Sequence, residues 1–456
     1  MKKLLTGVLT FGLISGTSMT LAHATPKAGA ACAKAGSTAI SAGKKFTCIK
    51  SGKKLVWNGG TALPVAPKPF VAPALSPETA FAPTSDCKLS KPSNHQMDDG
   101  PQGSVGFPKN PNAFASIGNI KALVITADFA DVPATIDLTA PWKSSSIPNA
   151  EKLFTYASYG KFNVKVDITE KVYRLQKPSS YYELLADPSG GPLPGAPAPK
   201  IDEVILDAMA AADSDIDFTK YAFVAVTTPA SPTLALSGAT GLGRIPTKFD
   251  GVEYVQGDFV PYDSLTPLDK PYRTLNFAHD IGHMLGLLHP YNVRGEFKGA
   301  WDIMWSFAFQ NDFLGWNKWK LSWITDQQIS CINGSVGTGL SQLLSPIGTP
   351  TDSKKLVVIK VDDNHAIAIE VRRKSPFENL KSSDEGVIVY TVDTTKSQGE
   401  GPYEIVSNPT KTMVYQNFPE IIGTMKPGEK VTIGGYVISV IGSTSDGDYV
   451  SVTKSA

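Results

Sequence analysis

The segment Leu275–His289, LNFAHDIGHMLGLLH, places His279, His283 and His289 within eleven residues of a chain that has six histidines in all. Read as a helix, it sets His279 and His283 one turn apart on one face, where two imidazoles can share a metal ion. Gly286 stands where such a helix would end, because glycine takes the left-handed conformation of a C-terminal cap at little steric cost. The resulting turn would swing His289 back toward the first two rings. Three neutral imidazoles with a fourth position open to water are the ligand set of a catalytic zinc ion. The competing reading is three polar side chains satisfied separately in core or surface. A lone pair of histidines four apart supports that reading, whereas a third histidine just past a glycine, in a histidine-poor chain, favours the metal.

Between the two helical histidines the chemistry departs from the common zinc-protease pattern, His-Glu-x-x-His, whose glutamate acts as general base. Here the position holds Asp280. Aspartate has the right functional group but is one methylene shorter, and a misplacement of about 1 Å can cost on the order of 10²-fold in rate. The sequence therefore supports two readings: a working hydrolase with an aspartate base, or a metal-binding scaffold without turnover.

Working outward, AWDIMW (Ala300–Trp305) can form a turn beneath the metal, with Met304 packed against the histidines rather than bound to the ion; ordinary core packing is the alternative. The aromatic series Trp305, Phe307, Phe309, Phe313, Trp316, Trp319 and Trp323 has the area to build a wall, or else a carbohydrate platform. Upstream, Lys121–Phe129 reads as a buried strand, Asn149–Tyr159 as a helix and Lys161–Ile168 as a strand with one buried face. Tyr181–Lys200 is rich in Pro and Gly and reads as a surface loop. Ile201, Val204, Ile205, Ala208, Met209 and Ala212 have helical spacing, and Tyr221–Thr227 is another apolar strand. Strands and helices alternate up to the histidine segment, which predicts an α+β domain with a mixed sheet against helices.

From about Val336 the chain reads as all-β. Leu356–Val361 and Ala366–Val371 flank a turn at Asp362-Asp363-Asn364, and Val387–Val392, Tyr436–Ile441 and Tyr449–Thr453 add strands of a sandwich-like domain. The acidic turns lack the full ligand ladder of a calcium loop.

The N-terminal end has a different character. Met1–Ala24 reads as a secretory signal: Lys2 and Lys3, a weakly apolar run, then Ala22-His23-Ala24 as a cleavage site. Residues 31–60 alternate around glycines as a small β module, and Thr61–Asp86, with its recurring prolines, reads as a semi-rigid linker. The division expected is therefore signal 1–24, module 25–60, linker 61–86, metal-bearing domain 87–335 and β domain 336–456. The four cysteines, in an oxidising compartment, are expected to pair as Cys32–Cys48 and Cys87–Cys331, each pair within one module. No later stretch is apolar enough to span a membrane. With 43 basic and 42 acidic side chains, the total charge points to neither nucleic acid nor an acidic partner. The expected product is secreted, extracellular or held at the cell surface.

HDIGHMLGLLH followed by WDIM resembles the zinc helix and methionine turn of the immune inhibitor A family of secreted metallopeptidases. The likeness extends to KALVITADFAD, YASYGKFNVKVDITEKVYRL, IDEVILDAMAAADSDIDFTKYAFV, GWNKWKLSWI and AIAIEVRRKSPFENLKSSDEGVIVYTVD, covering roughly residues 105–400. The resemblance implies a metzincin-like catalytic domain, zinc at His279, His283 and position 289, general-base duty at Asp280, and protein or peptide substrates. Two positions depart from the family: Asp280 replaces glutamate, and His289 stands where the family often has aspartate, matching the wider metzincin pattern. Residues 31–60 resemble a short cysteine-paired repeat found near the ends of exported actinobacterial proteins, and their lysines suggest weak contact with an anionic cell wall.

Overall fold

Glycine turns and alternating side chains make residues 25–63 a small antiparallel sheet of β1 (Thr38–Ser41), β2 (Lys44–Ser51), β3 (Lys54–Trp57) and β4 (Thr61–Ala62), with β2 paired to each of the others. Phe46 and Cys48 turn inward from β2, and Cys48 is bonded to Cys32. The computed structural model describes residues 25–63, 70–91, 103–185, 195, 197–231, 238–241, 247–262, 275–290, 301–305, 311–334, 339–397, 399–408, 412–415 and 418–455. The segment read as a signal peptide, Ala300, Phe307, Phe309 and much of the 181–200 loop lie outside these residues. The chain divides into two units, Met1–Val71 and Ala72–Ala456.

In the larger unit the apolar run before Phe129 becomes β5 (Gly118–Phe129), followed by α1 (Ile147–Ala157), β6 (Phe162–Ile168), β7 (Tyr173–Leu175), α2 (Ile201–Ala212), β8 (Phe223–Thr227) and β9 (Gly238–Gly241). A short hairpin of β10 (Thr247–Phe249) and β11 (Val252–Tyr254) leads to β12 (Gln256–Phe259) and then to α3 (Asn276–Met284). The sheet runs β6-β5-β8-β12-β9, with β7 also on β5; every pairing is parallel except that of the edge strand β9.

Parallel strands buried on both faces need cover on both sides, and the side-chain alternation supplies it. Ala122, Val124, Phe223 and Ala225 face α1 and α3, where they meet Leu153, Phe154, Phe277 and Ile281. Leu123, Ile125, Val224 and Val226 face the opposite way, onto Val204, Ile205, Ala208 and Met209 of α2. Asp202 and Glu203 in the first turn of α2 complement the positive end of its dipole.

Beyond α4 (Gly315–Lys320) and a short 3-10 turn at Asp326–Gln328, the elements of the described residues are strands: β13 (Ile329–Asn333), β14 (Leu340–Leu344), β15 (Leu356–Lys360), β16 (His365–Arg372), β17 (Gly386–Asp393), β18 (Tyr403–Ile405), a hairpin of β19 (Thr412–Tyr415) and β20 (Phe418–Ile422), then β21 (Lys430–Ile433), β22 (Tyr436–Ser443) and β23 (Asp448–Lys454). Two sheets result, β13-β15-β16-β17-β18 and β14-β23-β22-β21. Val357, Ile359, Ile367, Ile369, Val387 and Val389 pack against Ile438, Val440, Val450 and Val452 of the second sheet. The alternate residues Val358, Ala366, Ala368, Ile388 and Tyr390 pack instead on Trp301, Trp316 and Trp319. The first sheet is thus shared: one face closes a sandwich and the other supports the tryptophans of the region that follows the histidine segment.

One pairing ties the regions on either side of residue 335 together: β13 pairs in parallel with β15. Cys331 within β13 is in turn bonded to Cys87 across a sequence separation of 244. The proline-rich stretch is anchored as well, since Ser76 exchanges two 2.9 Å hydrogen bonds with Ser341. The tryptophans are interior packing and not a sugar platform: Trp301, Trp316 and Trp323 are fully buried, and their indole N–H groups donate to the carbonyls of Ile422, Val105 and Ser116.

A disulfide that closes so long a loop restricts the unfolded chain most. The double substitution Cys87→Ser/Cys331→Ser is expected to lower the unfolding free energy by about 2–5 kcal/mol, read as a lower urea midpoint with a slope that is steeper because the unfolded chain is less compact.

Candidate metal centre

α3 is short and buried nearly all round, so its conformation is set by packing rather than propensity. It ends in a Schellman turn: Leu287 N–H donates to Gly282 O at 3.1 Å, Gly286 N–H donates to His283 O at 2.8 Å, and Gly286 has φ +88°. A β-carbon at Gly286 would be strained there. Lys320 Nζ donates to Gly286 O at 2.8 Å and holds the turn from outside. The reversal brings His289 onto the two helical histidines.

The three Nε2 atoms form a near-equilateral triangle: His279 to His289 2.9 Å, His283 to His289 2.9 Å, and His283 to His279 3.1 Å. His279 Nδ1 lies 2.9 Å from Ile303 O, and His283 Nδ1 lies 2.9 Å from Leu287 O. A carbonyl oxygen only accepts, so each Nδ1 carries the proton and each Nε2 presents a lone pair. At most one of the three short contacts can then hold a proton donated by His289, which leaves at least one pair of lone pairs face to face. A cation answers that repulsion. Ligand atoms about 2.0–2.1 Å from a tetrahedral zinc stand roughly 3.3 Å apart, close to the spacing seen, so the donor set fits a divalent ion that favours imidazole. Among the described residues this is the one cluster of three or more His, Cys, Asp or Glu side chains that could hold a metal.

Burial also keeps these rings neutral. Desolvation lowers the His279 pKa to about 3, with His283 adding repulsion, and lowers that of His283 to about 4. His289 is pushed well down by the same burial and by its two neighbours.

Met304 is fully buried under the helix. Its Sδ occupies the space that a β-carbon on Gly282 would need, so a glycine between the two histidines lets the thioether rest against the helix backbone. The supporting turn is held by Asp302, which the sequence shows only as a lone acid in an apolar run. One carboxylate oxygen accepts from Met304 N–H at 2.8 Å; the other accepts from Leu314 N–H at 2.7 Å and Asn317 Nδ2 at 2.9 Å. Asn317 Oδ1 in turn accepts from Tyr403 Oη at 2.8 Å. A hydrogen-bonded path therefore runs from a strand of the C-terminal sheet to the turn whose Ile303 carbonyl orients His279.

Asp280 is 4% exposed, and among the described residues its Oδ2 makes no hydrogen bond. Desolvation raises its pKa well above the usual carboxylate range, and the neighbouring Asp258 raises it further. Asp258, from β12, is fully buried and pushed up to about 7 by desolvation. Burial and mutual repulsion make each of the two carboxyls resist ionisation. Asp258 escaped the sequence reading; the only sign was an aspartate inside the apolar strand QGDF.

Two outcomes test this architecture. Gly282→Ala should lower stability by about 1–3 kcal/mol through overpacking, and Met304→Ala added to it should recover part of that loss in thermal melts. Protons compete with a metal only below the folded-state pKa of the ligands, so zinc affinity should change less than about threefold between pH 7.5 and 5.5. Three histidines at an ordinary value near 6.5 would lose about 10³-fold over that range, and calorimetric titration corrected for buffer protonation distinguishes the two.

No family model and no curated protein matches this chain.

Proposed function

We propose that the chain is a secreted zinc-dependent endopeptidase with a metzincin-like catalytic domain. The convergence of three neutral imidazoles on one point, with the flanking Asp280 buried beside them in sequence, is the observation that carries this reading. His279, His283 and His289 would hold the ion; Met304 and Gly286 would shape the floor and the turn. When bound, zinc supplies a Lewis acid that polarises a scissile carbonyl and acidifies a water toward a pKa of about 7.

Asp280 would serve as the general base of such a hydrolysis and then as the acid toward the leaving amine. Its pKa, raised by burial and by Asp258, suits the second duty. The histidines are already committed to the ion and cannot serve a serine or cysteine nucleophile. The tautomers imposed by Ile303 O and Leu287 O keep the ligand lone pairs aimed while that proton moves.

A second reading has its own support. Asp280 is shorter than the usual glutamate, and burial together with repulsion from Asp258 disfavours its ionisation, an arrangement that also suits a metal-binding scaffold without turnover. The secreted chain loaded with zinc should be assayed on casein and on a peptide library beside His279→Ala and Asp280→Glu. Cleavage by wild type that disappears with His279→Ala supports the peptidase. An inert wild type that gains cleavage with Asp280→Glu supports the scaffold, and absence of bound zinc after refolding with the metal removes both.

A further inference from the structure

The near-neutral total charge hides a segregation. Residues 25–63 contain seven lysines, Lys27, Lys34, Lys44, Lys45, Lys50, Lys53 and Lys54, and no acidic residue. All seven are exposed. From residue 64 onward the chain carries 34 basic and 42 acidic side chains, so its net charge of −8 is spread over nearly ten times as many residues. We propose that the N-terminal sheet is a docking surface for a linear, phosphate-bearing polyanion outside the cell.

The fold places the charge for this. The inward side of β2 is taken by Phe46 and Cys48, so Lys45 stands on the other face, opposite Ile40 of β1. Lys44 and Lys45 lie at the β1–β2 turn; Lys50, Lys53 and Lys54 lie at the β2–β3 turn. Lys45 and Lys50 stand five residues apart within β2, about 17 Å in extended conformation. Like charges held at both ends of one strand repel, and a polymer with repeated negative charges along its length relieves both ends together.

Side-chain chemistry decides among polyanions. The cations are all lysine, compact and strongly hydrated, with no arginine fork for bidentate base or headgroup recognition. Phe46 is buried and Trp57 of β3 is half-buried, so the sheet lacks the row of exposed aromatic rings on which single-stranded nucleic acid stacks. Ile40 and Ile49, 68% and 44% exposed, are too little apolar surface to seat the sheet in a bilayer.

The test uses the intact secreted chain and the variant Lys44→Gln/Lys45→Gln/Lys53→Gln/Lys54→Gln, whose fold is checked by near-ultraviolet circular dichroism. Binding to long-chain inorganic polyphosphate is measured from 25 to 200 mM NaCl beside phosphatidylglycerol vesicles and duplex DNA. Wild type should bind polyphosphate with affinity that falls steeply with salt, and the variant's log–log salt slope should be smaller by about 3 to 4. A variant that binds as wild type does overturns the proposal. So does binding to vesicles or to duplex DNA in the absence of polyphosphate binding, which would assign the surface to a membrane or to nucleic acid.

Discussion

Three ring nitrogens held about 3 Å apart are the constraint on which the larger unit turns. Lone pairs at that distance repel unless something positive lies between them, so the fold must supply the force that keeps them together. It does so from behind each ring. Two backbone carbonyls fix the tautomers, a Schellman turn reverses the chain, and a buried thioether fills the groove left by a glycine. None of these contacts is strong alone. Their joint effect is that each imidazole has one orientation open to it, and that orientation faces the other two.

The support reaches well beyond the helix. Glu370 of β16 accepts from Gly315 N–H at 2.6 Å and from Tyr390 Oη at 2.9 Å, and it pairs with Arg372, which also pairs with Glu378. Lys318 and Asp312 form a second fully buried pair at 2.5 Å. Buried ion pairs contribute little net stability against an apolar replacement, but removing one partner is costly. Their consequence here is positional: α4 and the Asp302 turn are seated on the C-terminal sheet in one register. The β region therefore belongs to the architecture of the metal centre, through hydrogen bonds that run from Tyr403 to Asn317, Asp302 and the turn at Ile303.

Two buried carboxyls bear most directly on chemistry. Asp280 and Asp258 are both deprived of water, and each makes ionisation of the other harder. A carboxyl kept protonated near neutrality can donate as well as accept, which is useful for a group that must move a proton in both directions. The same burial would serve a silent scaffold equally well.

Much of this was legible in one dimension. The i,i+4 histidines and the glycine that follows them marked the site, because helical periodicity and left-handed backbone are local properties. Alternation of apolar residues located β5, β6, β8, β15, β16, β17, β22 and β23 for the same reason, and the cysteine pairing followed from which modules the residues fall in. What depends on through-space neighbours could be decided only by the tertiary structure. Asp258 comes 22 residues before Asp280 and acts on its ionisation only because the fold buries both carboxyls close enough to interact. Asp302 looked like a stray acid until three donors from Met304, Leu314 and Asn317 surrounded it. The double burial of β15–β17 likewise depends on which elements cover each face, and alternation along a strand carries no information about its cover.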